Sequence, residues 1–168
     1  MTSCGEYQSL LKSNDYNLVY KKAIEYYNKG DYQWAMNLLD GVRSVFVGQA
    51  KAQNIAYYRA FCSYNMKDYQ IASDLFKQFI QTYPESSFAE ECLYMMGFCD
   101  YKASPKPRLD QQVTEKAIRE FQLYLSRYPY SMRKDKVNTY MDEMRDKLSY
   151  KAYLSAKNYY LREHYKAA

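Results

Sequence analysis

One histidine, four cysteines without a CxxC pair, five glycines and four prolines in 168 residues leave little material for several common chemistries. A zinc site needs four converging ligands, and Cys4, Cys62, Cys92 and Cys99 are too scattered for His164 to complete one. Cys92 and Cys99 would share a helix face about 10 Å apart along its axis, beyond a strain-free disulfide. The cysteines therefore read as small buried hydrophobes. No glycine-rich loop could cradle a phosphate and no HExxH is present. His164, between Glu163 and Tyr165, reads as a helix-end residue, and the neighbours Glu90-Glu91 and Asp142-Glu143 diverge on a helix surface. These absences exclude a recognisable enzyme, metal site or cofactor site. No apolar run approaches the roughly 20 residues that span a bilayer.

What the chain does have is tyrosine, 22 of them, with hydrophobic types at 48% and charged types at 26%. The net charge of +5 is carried by Lys and Arg interleaved with Asp and Glu, so there is no basic stripe and no nucleic acid is expected.

The tyrosines belong to a repeat. Ala72, Phe76, Phe79 and Pro84 are spaced 0, 4, 7, 12, and Ala117, Phe121, Tyr124 and Pro129 reproduce that spacing. Ala35, Leu39, Val42 and Val47 keep it with the proline lost. Upstream, Ala23, Ala60 and Gly97 recur every 37 residues. Around them Tyr20, Ile24 and Tyr27 become Tyr57, Phe61 and Tyr64, then Tyr94, Phe98 and Tyr101. Each copy reads as helix A, a turn (Gly30-Asp31-Tyr32, Lys67-Asp68-Tyr69), then helix B. Small residues let the two helices approach, aromatics fill the gap to the next copy, and proline stops helix B. This pattern is similar to the tetratricopeptide repeat, with a period of 37 instead of 34.

The predicted fold is an all-α tetratricopeptide-repeat α-solenoid of three full repeats plus the start of a fourth. Residues 1–14 form an N-terminal linker and 15–168 the repeat domain. The repeats fall at about 16–50, 52–86 and 88–130. The third carries an insertion over 104–114, extended through Pro105 and Pro107, and 131–163 is a helical segment, one helix or two, entering the truncated fourth. There Tyr153, Ala156 and Tyr160 restore the helix A pattern and Tyr165 to Ala168 the entry to helix B, so the natural chain is expected to continue.

In such stacks the A helices line a concave groove, and the expected binding stripe is Asn17, Tyr20, Tyr27, Asn28, Asn54, Tyr57, Phe61, Tyr64, Asn65, Tyr94, Phe98 and Tyr101. Tyrosine supplies rigid contact area with a polar tip, and asparagine pairs with an extended backbone. That combination suits an aromatic-rich peptide. The repeated positions lack the Lys and Arg that a carboxylate clamp requires.

Thr2-Ser3-Cys4-Gly5 resembles the end of a lipoprotein signal, whose cysteine is lipidated. With the Tyr-Pro-x-Ser exits at Tyr83 and Tyr128, the run from Leu109 through Ala117-Ile118 and Phe121 to Pro129, and the paired tyrosines of Leu148 to Tyr160, nearly the whole chain resembles the BamD family of outer-membrane protein assembly lipoproteins. The resemblance implies a non-catalytic scaffold, lipid-anchored through Cys4 at the periplasmic leaflet of the outer membrane. It implies that the N-terminal repeats bind unfolded β-barrel precursors by their aromatic-ended final strand. It also implies partners in the barrel insertase and other assembly lipoproteins. The alternative is a periplasmic repeat adaptor in envelope growth or peptidoglycan coordination, which uses similar exits.

Overall fold

The computed structural model describes residues 3–161, with side chains from residue 5 onward. The described residues form eight helices and no strand: α1 (Ser3–Leu11), α2 (Tyr16–Lys29), α3 (Tyr32–Val42), α4 (Ala50–Asn65), α5 (Tyr69–Thr82), α6 (Ala89–Ala103), α7 (Gln112–Arg127) and α8 (Lys134–Leu161). The fold is all-α and tetratricopeptide-like, and its residues divide into two compact units, the first ending at Cys92 and the second beginning at Leu93.

In the first unit α2 packs on α3, α3 on α4 and α4 on α5. Contact is close because Ala23, Ala35, Ala60 and Ala72 are wholly buried, as the 37-residue marks require. Val19, Leu38, Leu39, Val42 and Ile55 fill the core between them, and Phe76 and Phe79 close it on α5. The helix ends are written locally. Asp15 caps α2 by accepting from the Leu18 amide at 3.0 Å, and Gly30 ends it in the left-handed region at φ 87. Lys67, 37 residues later, adopts the same hand at φ 67 without glycine's freedom. At the exits, Tyr83 and Tyr128 leave the helical region at φ −129 and −126, because each precedes a proline. Where the proline is missing, α3 stops at Val42 and an irregular turn follows; Val47 is 74% exposed, and Phe46 beside it enters the core.

Residues 1–14, read as a linker, contain α1. Tyr7 stacks on Trp34 at 4.7 Å and accepts from the Asn37 amide at 3.0 Å, while Leu10 is buried, so this helix is docked on the first core.

In the second unit α6 meets α7 through Gly97, which faces the ring of Phe121, and through buried Asp100, 2.9 Å from the Lys116 ammonium. The insertion is shorter than expected, since Gln112 to Thr114 already belong to α7. Its turn is not strand-like. Gln111, 3% exposed, donates to the carbonyls of Lys106 and Leu109, and its carbonyl accepts from Thr114 at 2.7 Å. From α8, Lys147 and Lys151 reach Ser104 and the Leu109 carbonyl. Among the described residues of 131–161 there is one helix of 28 residues, about 42 Å long. Its first half is anchored by buried Val137, Met141 and Met144. Its second half exposes Tyr153 and Tyr160. Residues 162–168, with His164 and the helix B entry at Tyr165, lie outside the described residues.

Candidate functional site

Three open clefts of similar size, about 450 to 490 Å³, indent the described surface, so volume does not select among them. Their linings do. The cleft beside the insertion is edged by Arg108, Lys151 and Lys157 with Leu154, and carries no aromatic ring. A second, on α4 and α5, has Phe79 and Tyr83 over buried Arg59, which is held by Asp40 at 2.6 Å. The third lies on α2 and α4 and is lined by four rings, Tyr20, Tyr57, Tyr58 and Phe88, with Ile24 between them. Asn28 and Asn54 supply amides at its wall, and Lys21 and Glu25 one charge of each sign.

These residues converge because one helical face of α2 and the corresponding face of α4 carry the repeated tyrosine and asparagine positions. Tyr57 is the best-held member. Its ring lies 4.6 Å from both Phe61 and Phe88, and its hydroxyl donates to the Glu91 carboxylate at 2.8 Å. Burial first, then that hydrogen bond, push the Tyr57 hydroxyl well above its ordinary pKa. It is a neutral, fixed platform. Tyr20 packs against Phe46, with the Lys51 ammonium 5.7 Å from its ring.

Of the twelve stripe residues, Tyr20, Asn28, Asn54 and Tyr57 line this cleft. Others are structural at their present positions. Tyr27 contacts Tyr58 at 4.9 Å and Tyr32 at 5.5 Å and hydrogen-bonds Asn65, and burial pushes it up to about 12. Phe61 stands between Tyr57 and Phe76, and Tyr64 leans on Tyr69. Asn17 is exposed and accepts from Lys51. In the second unit Tyr94 is 8% exposed and packs on Phe121 and Tyr124, which makes it core. Phe98 and Tyr101 are half-buried under Tyr140 of α8, which lies 5.4 and 4.5 Å from their rings. Tyr101 donates to Glu143, and that bond leads in raising its pKa to about 12.

Tyr58 and Phe88 were not among the stripe residues. Tyr58 adjoins the repeated Tyr57 and was hidden by it, whereas Phe88 sits in the turn before α6, at a register that carries Lys51 one period earlier. No periodic signal could have found it. The Cys4 side chain lies outside the described residues. The buried thiols of Cys62 and Cys92 are raised to about 12 by desolvation, and that of Cys99 is raised too; all three are free. They are poor nucleophiles. No group of His, Cys, Asp and Glu among the described residues is arranged to hold a metal.

Compared with known proteins, no curated protein matches the chain. Residues 12–168 match the model of the YfiO family, described as outer membrane lipoprotein.

Proposed function

Because this chain belongs to the YfiO family of outer membrane lipoproteins, we propose that it is a non-catalytic scaffold of the outer-membrane protein assembly complex. In this reading it holds unfolded β-barrel precursors in the α2–α4 cleft. It engages the barrel insertase and other assembly lipoproteins at the periplasmic face of the membrane. Acyl chains on Cys4 provide the anchor, several being needed for a stable hold. No helix among the described residues is long and apolar enough to cross a membrane.

The observation that carries the precursor-binding reading is the lining of the cleft: four aromatic rings and two asparagines around about 490 Å³. A precursor strand that ends in an aromatic residue would stack its last ring on Tyr57 and Phe88. Its unpaired backbone would exchange hydrogen bonds with Asn28 and Asn54. The ring of Tyr57 is already fixed by Phe61 and Glu91, so little side-chain entropy is lost on binding.

The test is fluorescence anisotropy with a labelled peptide copied from the final strand of a barrel protein. The double variant Asn28→Ala/Asn54→Ala is expected to bind at least about tenfold more weakly, two hydrogen bonds being worth about 1–3 kcal/mol together. Asn17→Ala, outside the cleft, serves as the control. Parent-like affinity in the double variant, with an unchanged circular dichroism spectrum, rejects the cleft as the site.

A further inference from the structure

The chain makes the same turn twice and fills it with opposite chemistry. After α5, the Ser86 amide donates to the Tyr83 carbonyl at 3.1 Å, the Ala89 amide to Ser86 at 2.9 Å, and the Phe88 amide to the Ser86 hydroxyl at 3.2 Å. After α7, the Ser131 amide donates to Tyr128 at 3.1 Å, the Lys134 amide to Ser131 at 3.1 Å, and the Arg133 amide to the Ser131 hydroxyl at 3.2 Å. The backbone is therefore indifferent to what occupies the two outward positions. In the first turn they are Glu85 and Ser87; in the second they are Tyr130, 97% exposed, and Met132, 103% exposed.

The charge reverses together with the tip. Residues 82–91 hold Glu85, Glu90 and Glu91 and no cation, whereas 127–136 hold Arg127, Arg133, Lys134 and Lys136 against Asp135 alone. A fully solvated tyrosine and methionine gain nothing for the fold, and the sibling turn proves that polar residues fit there. The tip is also held in place. Ser131 is hydrogen-bonded to the hydroxyl of Tyr124, which is itself completely buried, and Arg133 lies over the ring of Tyr94 at 4.9 Å.

We infer that the Tyr130–Met132 turn is a contact point for an anionic phospholipid surface. Tyrosine favours the boundary between headgroups and acyl chains, methionine adds a flexible apolar side chain, and the surrounding cations are attracted to negatively charged headgroups. One such tip binds weakly by itself. On a chain of an outer membrane lipoprotein family, already held beside a bilayer, it acts as a second, intramolecular attachment that fixes orientation. The inference does not depend on the α2–α4 cleft.

The experiment is cosedimentation of the unacylated chain with vesicles of phosphatidylethanolamine and phosphatidylglycerol, and with phosphatidylcholine vesicles. The parent is expected to partition onto the anionic vesicles in a salt-sensitive manner. Tyr130→Glu/Met132→Ser, which copies the sibling turn, should lower the partition coefficient by roughly tenfold or more. Lys134→Glu/Lys136→Glu should remove the salt-sensitive part. Circular dichroism and the thermal midpoint report folding, and Tyr130→Ser alone replaces the double variant should that variant misfold. Absence of parent binding to anionic vesicles, or an undiminished partition in a folded tip variant, overturns the inference. Binding of the tip to an acidic protein surface without vesicle binding likewise overturns it in favour of a protein partner.

Discussion

At the scale of single residues, the packing of α6 on α7 depends on a missing methyl group. A Cβ on Gly97 would stand 2.9 Å from Cδ1 and 3.0 Å from Cε1 of Phe121, a fully buried ring with no free direction of retreat. Gly97→Ala is expected to cost a net ~1 kcal/mol in urea unfolding, because overpacking at about 1–3 kcal/mol outweighs the ~1 kcal/mol that alanine gives a helix interior. Adding Phe121→Leu, which opens space, should recover part of that loss relative to Phe121→Leu alone. At the corresponding positions Ala23 and Ala60 are accommodated, fully buried, so the demand for glycine is peculiar to the third repeat. Tyr57 illustrates a different economy: one side chain closes the aromatic packing of α4 and forms the floor of the cleft.

At the scale of elements, the turn between α6 and α7 is ordered by one glutamine. The Gln111 side chain satisfies two backbone carbonyls and takes a hydroxyl from Thr114, all at a nearly solvent-free position. Truncation to alanine would remove three hydrogen bonds that tie the turn to α7, leaving the Lys106 carbonyl only the Leu109 amide and the Leu109 carbonyl only Lys151, at a cost of about 1–3 kcal/mol. Gln111→Ala is therefore expected to make residues 104–111 the first site of limited proteolysis, read by mass spectrometry of the earliest fragments. An unchanged cleavage pattern would show that Lys147 and Lys151 hold the turn without it. The boundaries of most other elements were legible in the sequence. Gly30, Pro84 and Pro129 mark helix ends because their backbone preferences are local. The exit of α3 was not legible, since without a proline its turn depends on Phe46 finding the core. Nor was α1, whose stability comes from Tyr7 lying on Trp34, a contact that no spacing rule announces.

At the scale of the whole molecule, the burial of neutral acids sets the response to alkali. In the folded protein the thiols of Cys62 and Cys92 are raised from 9.0 to about 12, that of Cys99 is raised as well, and the Tyr27 and Tyr101 hydroxyls are raised from 10.0 to about 12. Between their ordinary and folded values the native state keeps protons that the unfolded chain has released. The unfolded state then binds fewer protons, so the free energy of unfolding falls as pH rises. Stability should be level below about pH 8 with respect to these groups, decline from about pH 9, and fall steadily toward pH 12. Urea titrations across that range check it. Replacing Cys62 and Cys92 with alanine should flatten the first part of the decline while lowering stability at neutral pH through the cavities left behind.

The sequence by itself determined the all-α architecture, the helix pairs, their proline exits and the small residues at the crossings. Each of these follows from backbone preference or from a periodicity that survives without coordinates. It also located the repeated tyrosine and asparagine positions, and the family match over residues 12–168 agrees with the resemblance those motifs carry. Only the tertiary structure decided which tyrosines are exposed. Equivalent positions in three repeats met unequal neighbours: Tyr20 and Tyr57 open onto a cleft, whereas Tyr94 is sealed in the core. Periodicity fixes which face of a helix a residue shares, but exposure depends on what the rest of the chain places over that face. For the same reason the sequence shows Tyr130 at the place Glu85 holds in the other turn, but only the fold shows that its ring is bare.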